Sequence, residues 1–112
     1  MLPRFANQTV VVLMPEEIVE RGETVESWTV PTRTPIDGCS VQPGNGGRDF
    51  EHADGVVADF TVYLPETAMV PRRARVELPV TDGQFVLLGE PEPWIYGLRT
   101  DHVRIRLRRR DG

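Results

Sequence analysis

Cys39 sits in Asp37-Gly38-Cys39-Ser40-Val41-Gln42-Pro43-Gly44-Asn45-Gly46-Gly47, which holds the chain's single cysteine and four of its ten glycines. A thiol beside a glycine-rich loop raises two chemistries, a reactive nucleophile or a phosphate cradle. The cradle needs a Lys-Ser/Thr pair after the glycines and a helix to follow. Here Arg48-Asp49-Phe50 follows instead, and no helix can be placed there. The nucleophile needs a neighbouring base, and no histidine lies close to Cys39 in sequence. Gly38-Cys39-Ser40-Val41 alternates as a strand does, and free cysteine at such a position behaves as a small buried hydrophobe.

Asp49, Glu51, His52 and Asp54 combine carboxylates with one imidazole, as a metal site would. Their spacing is not that of a calcium loop, and no Cys or His pair supports zinc, so they read as a solvated loop. Glu16, Glu17, Glu20, Glu23 and Glu26 could include an acid/base pair, yet nothing in sequence places two of them in a cleft, and a solvated acidic edge accounts for them. Trp94 follows Glu90-Pro91-Glu92-Pro93 and reads as a core or interface anchor rather than a sugar platform. No catalytic residue, cofactor site or metal site is assigned.

The strongest charge feature is Arg104-Ile105-Arg106-Leu107-Arg108-Arg109-Arg110, with five arginines in seven residues. Such a run binds phosphates, or carboxylates on a protein surface through bidentate pairs. Residues 16–26 are its counterpart, with five glutamates against Arg21. Opposite poles on one small domain favour head-to-tail contacts between copies, while pairing of the two segments within one chain is the alternative.

The elements that must position these residues are short. A chain of 112 residues makes one domain around one core, with ten prolines and ten glycines at short intervals. Between them lie brief runs of Val, Thr, Ile, Phe and Tyr, the pattern of short antiparallel strands in a small barrel or sandwich. Strands are expected near 9–13, 24–31, 36–42, 56–64, 75–79, 84–88 and 102–109. Phe60, Val62 and Leu64 alternate with Asp59, Thr61 and Tyr63, and Val103, Ile105 and Leu107 alternate with Arg104, Arg106 and Arg108. Each of these strands then has one buried face and one wet or partner-facing side. Asp82-Gly83 predicts a tight hairpin turn. Pro15 to Arg21, closed by Gly22, predicts one or two helical turns or an irregular connection. The longest stretch without strand character is 43–55.

The thirteen basic residues are all arginine, and seventeen acidic ones bring the net charge to −4. That balance argues against a protein that coats nucleic acid. One cysteine forms no intramolecular disulfide, the N-terminal residues do not resemble a signal peptide, and no apolar run has the length of a membrane span, so a cytosolic compartment is expected.

The order of features resembles the head-to-tail stopper (head-closure) proteins of long-tailed double-stranded DNA phages, especially those of actinobacteria. It is carried by Gly38-Cys39-Ser40-Val41-Gln42-Pro43, a polar loop, and Phe60-Thr61-Val62-Tyr63-Leu64-Pro65. Arg75-Val76, Asp82-Gly83, Gly89-Glu90-Pro91, Trp94 and the closing Val103 to Arg108 strand complete it. The resemblance runs from about Val10 to Gly112, and no single motif is diagnostic.

The resemblance implies a mainly β protein, a small antiparallel barrel of six or seven short strands with a long flexible loop and little helix. It implies a homo-oligomeric ring, sixfold or twelvefold, in the virion at the head-tail interface, assembled in the bacterial host cytoplasm. Portal and adaptor proteins lie on the head side and tail or tail-terminator proteins on the other, with packaged DNA in the channel and no membrane. The loop that projects into the channel in such proteins corresponds here to 43–55. Gly44, Asn45, Gly46 and Gly47 are then its swing points, with Arg48, Asp49, Phe50, Glu51, His52 and Asp54 facing the channel. Arg104, Arg106, Arg108, Arg109, Arg110, Glu16, Glu17, Glu20 and Trp94 are the candidate subunit or partner contacts. The alternative is a small barrel that binds single-stranded nucleic acid through the arginine strand, with Trp94 and Tyr96 nearby.

Overall fold

A computed structural model describes residues 7–44, 58–97 and 99–110. Seven strands follow in order: β1 (Gln8–Glu20), β2 (Glu23–Pro43), β3 (Phe60–Pro65), β4 (Arg75–Leu78), β5 (Thr81–Leu87), β6 (Glu92–Tyr96) and β7 (Arg99–Arg109). All pairings are antiparallel, and the sheet order is β3-β2-β1-β4-β5-β7-β6. A further ladder, Phe60–Leu107 through Pro65–His102, joins β3 to β7. The sheet therefore closes on itself into a barrel-like ring, with β6 added beside the first half of β7. Closure pairs both edges of the strands within the ring, leaving β6 and the extension of β1 and β2 as the edges.

The expected fold class holds, and the alternation that predicted it is what fills the interior. Val10 and Val12 of β1, Val62 and Leu64 of β3, Val76 of β4, Phe85 and Leu87 of β5, and Val103, Ile105 and Leu107 of β7 form one buried cluster. Phe85 meets Phe60 edge-on at 5.3 Å between ring centroids.

Four local readings are corrected. Residues 15–21 are not helical: β1 runs through them, paired with β2 from Glu16–Ser27 to Glu20–Glu23. The proline and acidic residues that resemble a helix start instead lie on a strand whose partners are three to eleven residues ahead. Arg21 and Gly22 form the two-residue turn, both at positive φ, 54° and 80°. That is the geometry of the hairpin turn whose twist matches the strands. Arg21→Asn, which relieves an L side chain at positive φ, is expected to raise stability by about 0.5–1 kcal/mol in urea unfolding.

The expected strands at 24–31 and 36–42 are one strand, β2, bent by irregularities rather than interrupted. Between Met14–Thr32 and Glu16–Ser27 the register jumps, leaving 28–31 opposite Pro15. Pro15 and Pro31 lack the N–H that a regular ladder needs. A second irregularity sets Asp37-Gly38 opposite Thr9, whose hydroxyl donates to Asp37 Oδ1 at 2.7 Å.

Asp82-Gly83 does not make the β4–β5 turn. Leu78 pairs with Thr81, so Pro79-Val80 turns the chain, and the next pair is Val76–Phe85. Asp82, Gly83 and Gln84 are thus bulged opposite Glu77, with Gly83 at φ 97°. Arg109 fastens the bulge, donating from Nη1 to the Asp82 carbonyl at 2.7 Å.

The strand expected from residue 56 begins at Phe60 among the described residues, with Ala58 and Asp59 outside it, and β6 has no counterpart in the sequence reading. Pro91 and Pro93 argue against a strand; β6 tolerates them because it is an edge strand paired only with β7.

Candidate functional site

The acidic residues cluster on a two-stranded arm. β4 pairs with β1 only from Val11 to Leu13, and β3 pairs with β2 only from Ser40 to Pro43, so residues 16–27 pair with each other alone. Residues 16–24 are exposed throughout. The register sets Glu20 directly opposite Glu23 and Glu17 directly opposite Glu26. Like charges so placed destabilise a strand pair. Glu26 has an ion pair to Arg73 at the base of the arm. Among the described residues, Glu16, Glu17, Glu20 and Glu23 have no ion pair. The arm also exposes Val19 at 76% and Ile18 at 36%.

The arginine strand divides by parity. Arg104, Arg106 and Arg108 lie opposite Tyr63, Thr61 and Val86, on the outer face of β7. Arg109 shares the parity of Val103, Ile105 and Leu107 and turns to the other side. Its guanidinium lies 4.9 Å from the Phe85 ring centroid and reaches the β5 bulge, so it closes one end of the core. Arg104 is nearly buried: Nε donates to Glu92 Oε1 at 2.8 Å, and the guanidinium lies 5.2 Å from the Trp94 ring centroid. These two arginines serve the fold. The expected wet face of β3 is likewise closed at Thr61, which is fully buried and donates to the Gly44 carbonyl at 2.8 Å.

Arg106, Arg108 and Arg110 remain, and the fold brings Arg75 to them. Arg75 of β4 pairs with Val86, which pairs with Arg108, so Val86 lies between two arginines on the outer face. Burial, and then the neighbouring charge of Arg110, hold Arg75 below the usual arginine pKa. Its guanidinium stacks 3.7 Å from the Trp28 ring centroid. Among the described residues none of these four arginines has an ion pair, and Arg106 Nε is buried with no hydrogen-bond partner. The acidic arm does not neutralise them within the chain. Arg75 and Val86 were not legible as members of this face; only the β4–β5–β7 register puts them there.

Trp94, half exposed, lies over His102 at 5.6 Å and 12° between planes, and Tyr63 meets His102 edge-on at 5.7 Å. Burial first, and the positive charge of Arg104 among the other causes, lower the His102 pKa below its ordinary 6.5. A depressed folded pKa means that the unfolded chain takes up the proton more readily. The contribution of His102 is therefore fully present above about pH 6.5 and lost as pH falls toward the folded pKa. His102→Gln is expected to flatten that segment of the stability profile, measured by urea midpoints from pH 7.5 down to 5.

Cys39 is fully buried, and burial pushes its thiol up to about 11. Its Sγ donates to the Ile36 carbonyl at 3.3 Å. A protonated, enclosed thiol is a poor nucleophile. Alkylation of the native protein at pH 8 is expected to be at least about tenfold slower than in urea, as read by mass spectrometry; equal rates would contradict this placement.

Asn45, Gly46, Gly47, Arg48, Asp49, Phe50, Glu51, His52 and Asp54 lie outside the described residues. Their anchors do not. Gly44, at φ 68°, donates N–H to the Asp59 carbonyl at 2.9 Å, and Asp59 N–H donates to the Leu107 carbonyl at 2.8 Å. Asp59 Oδ2 accepts from the Arg109 N–H at 2.7 Å. The resemblance puts the entry to this segment at Gln42-Pro43, which is the end of β2, and its return at Val56-Val57, which lie outside the described residues; Gly44 and Asp59 are clamped together where the described chain leaves and resumes. No group of three or more potential metal ligands occurs among the described residues. Compared with known proteins, the chain matches no protein-family model, no curated protein and no solved structure.

Proposed function

We propose that this protein is a structural ring component of a phage head-to-tail connector, a stopper that closes the channel of the DNA-filled head and presents a surface to the tail. The observation that carries this reading is the separation of charge without ion pairs among the described residues: a glutamate arm at one place and an arginine face at another. Such separated charge suits assembly with another molecule. The small all-β fold suits the resemblance of the sequence to stoppers, and the hydrogen bond between Gly44 and Asp59 marks where the segment assigned to the channel joins the sheet. The channel contents are double-stranded DNA held without sequence preference, and the neighbours are portal or adaptor proteins above and tail proteins below.

The nucleic-acid reading draws on the same arginine face, but Arg104 is engaged with Glu92, Arg109 with the β5 bulge, and the net charge is −4. The test is retention. Filled, tailless heads lacking this protein are expected to leak DNA to nuclease, and purified protein is expected to protect it. Unchanged leakage, with salt-sensitive binding to free oligonucleotides, would favour the nucleic-acid reading.

A further inference from the structure

We propose that the arm 16–27 of one copy lies across the arginine face of the next, against Arg75, Val86, Arg106, Arg108 and Arg110, and that this contact joins the copies head to tail. It rests on the ring reading above and names the two surfaces that make the ring.

The two surfaces match in charge and in apolarity. The arm carries Glu16, Glu17, Glu20 and Glu23 without ion pairs among the described residues, around exposed Ile18 and Val19. The receiving face carries four arginines without ion pairs among the described residues, around Val86. Each surface alone holds repulsion: Glu20 opposes Glu23 and Glu17 opposes Glu26 on the arm, and Arg110 depresses the Arg75 pKa on the face. Contact between them relieves both, and guanidinium–carboxylate pairs are among the stronger charge-assisted hydrogen bonds.

The surfaces differ from one another, so one copy can offer its arm to one neighbour and its face to another, a heterologous contact. A heterologous contact propagates until it closes a ring or runs on as a filament. A twofold dimer would instead need both arm–face contacts to form between the same two copies, whereas a ring gives each copy one arm contact and one face contact with different neighbours.

The arm is tested without melting it. Glu17→Arg with Glu20→Arg turns both like-charge pairs of the arm into opposite-charge pairs, which favours the strand pairing. Arg108→Glu with Arg110→Glu alters exposed positions of the face. Mass is measured by sedimentation for wild type, each variant, and an equimolar mixture, at low and high salt, free and with filled tailless heads. The wild type is expected to form rings that weaken with salt. Each variant alone is expected to stay monomeric, with self-association weakened by about tenfold or more. The mixture is expected to associate again, because the intact arm of the face variant meets the intact face of the arm variant, and the two charge-reversed surfaces are opposite in sign.

Variants that still form rings would overturn the arm contact and leave the ring reading standing. A mixture that stays monomeric would overturn it as well. An arm variant that forms rings but no longer binds heads would assign the arm to a head protein instead. A wild type that remains monomeric in every condition would overturn both the contact and the ring.

Discussion

Phe85→Ala is expected to cost about 3–5 kcal/mol, a third or more of the stability of a domain this size, and to leave much of the protein unfolded. Phe85 is fully buried at the centre of β5, pairs in register with Val76 of β4 and Arg109 of β7, and packs edge-on against Phe60. Its removal opens a cavity where three strands and the Arg109 cap converge. The β3–β7 and β5–β7 ladders that close the sheet both pass through Leu107 beside it. The measurement is the urea midpoint, with Phe85→Leu as the partial case expected to lose roughly half as much. A loss below about 1 kcal/mol would mean that closure is held elsewhere.

The second large effect is functional and leaves the fold intact. Removing residues 45–54 leaves Gly55-Val56-Val57 to join Gly44 to Ala58. Gly44 and Asp59 are already hydrogen-bonded to each other at 2.9 Å. The deletion therefore closes a gap that is short in space, and closing a shorter loop costs less entropy. The variant is expected to fold with an unchanged urea midpoint and to form rings, yet to lose DNA retention in filled heads. Retention at wild-type level would show that the channel is closed by something other than this segment.

These expectations draw unevenly on the sequence. The β7 core was legible because Val103, Ile105 and Leu107 alternate over a full strand, and that parity also held the signal that Arg109 turns inward. The burial of Arg104 was not legible, because it depends on β6, and Pro-Glu-Pro-Trp reads as a loop unless the edge position is known. Asp82-Gly83 correctly marked a place of positive φ. Whether such a glycine serves a turn or a bulge is decided by the register across β4 and β5, which lies outside local pattern. Likewise, residues 15–21 carry both helix-start chemistry and strand-compatible Ile18 and Val19, and only the partner strand chooses between them. The two charged segments were visible as composition. That they do not pair within one chain depends on the arm, where β1 and β2 extend beyond every other strand.

The most direct measurement is imaging of filled, tailless heads after incubation with the purified protein. The account predicts a closed ring at the portal vertex, with density reaching into the channel from the point where Gly44 and Asp59 meet. Heads with a bare vertex under conditions where the protein is folded and concentrated would contradict it.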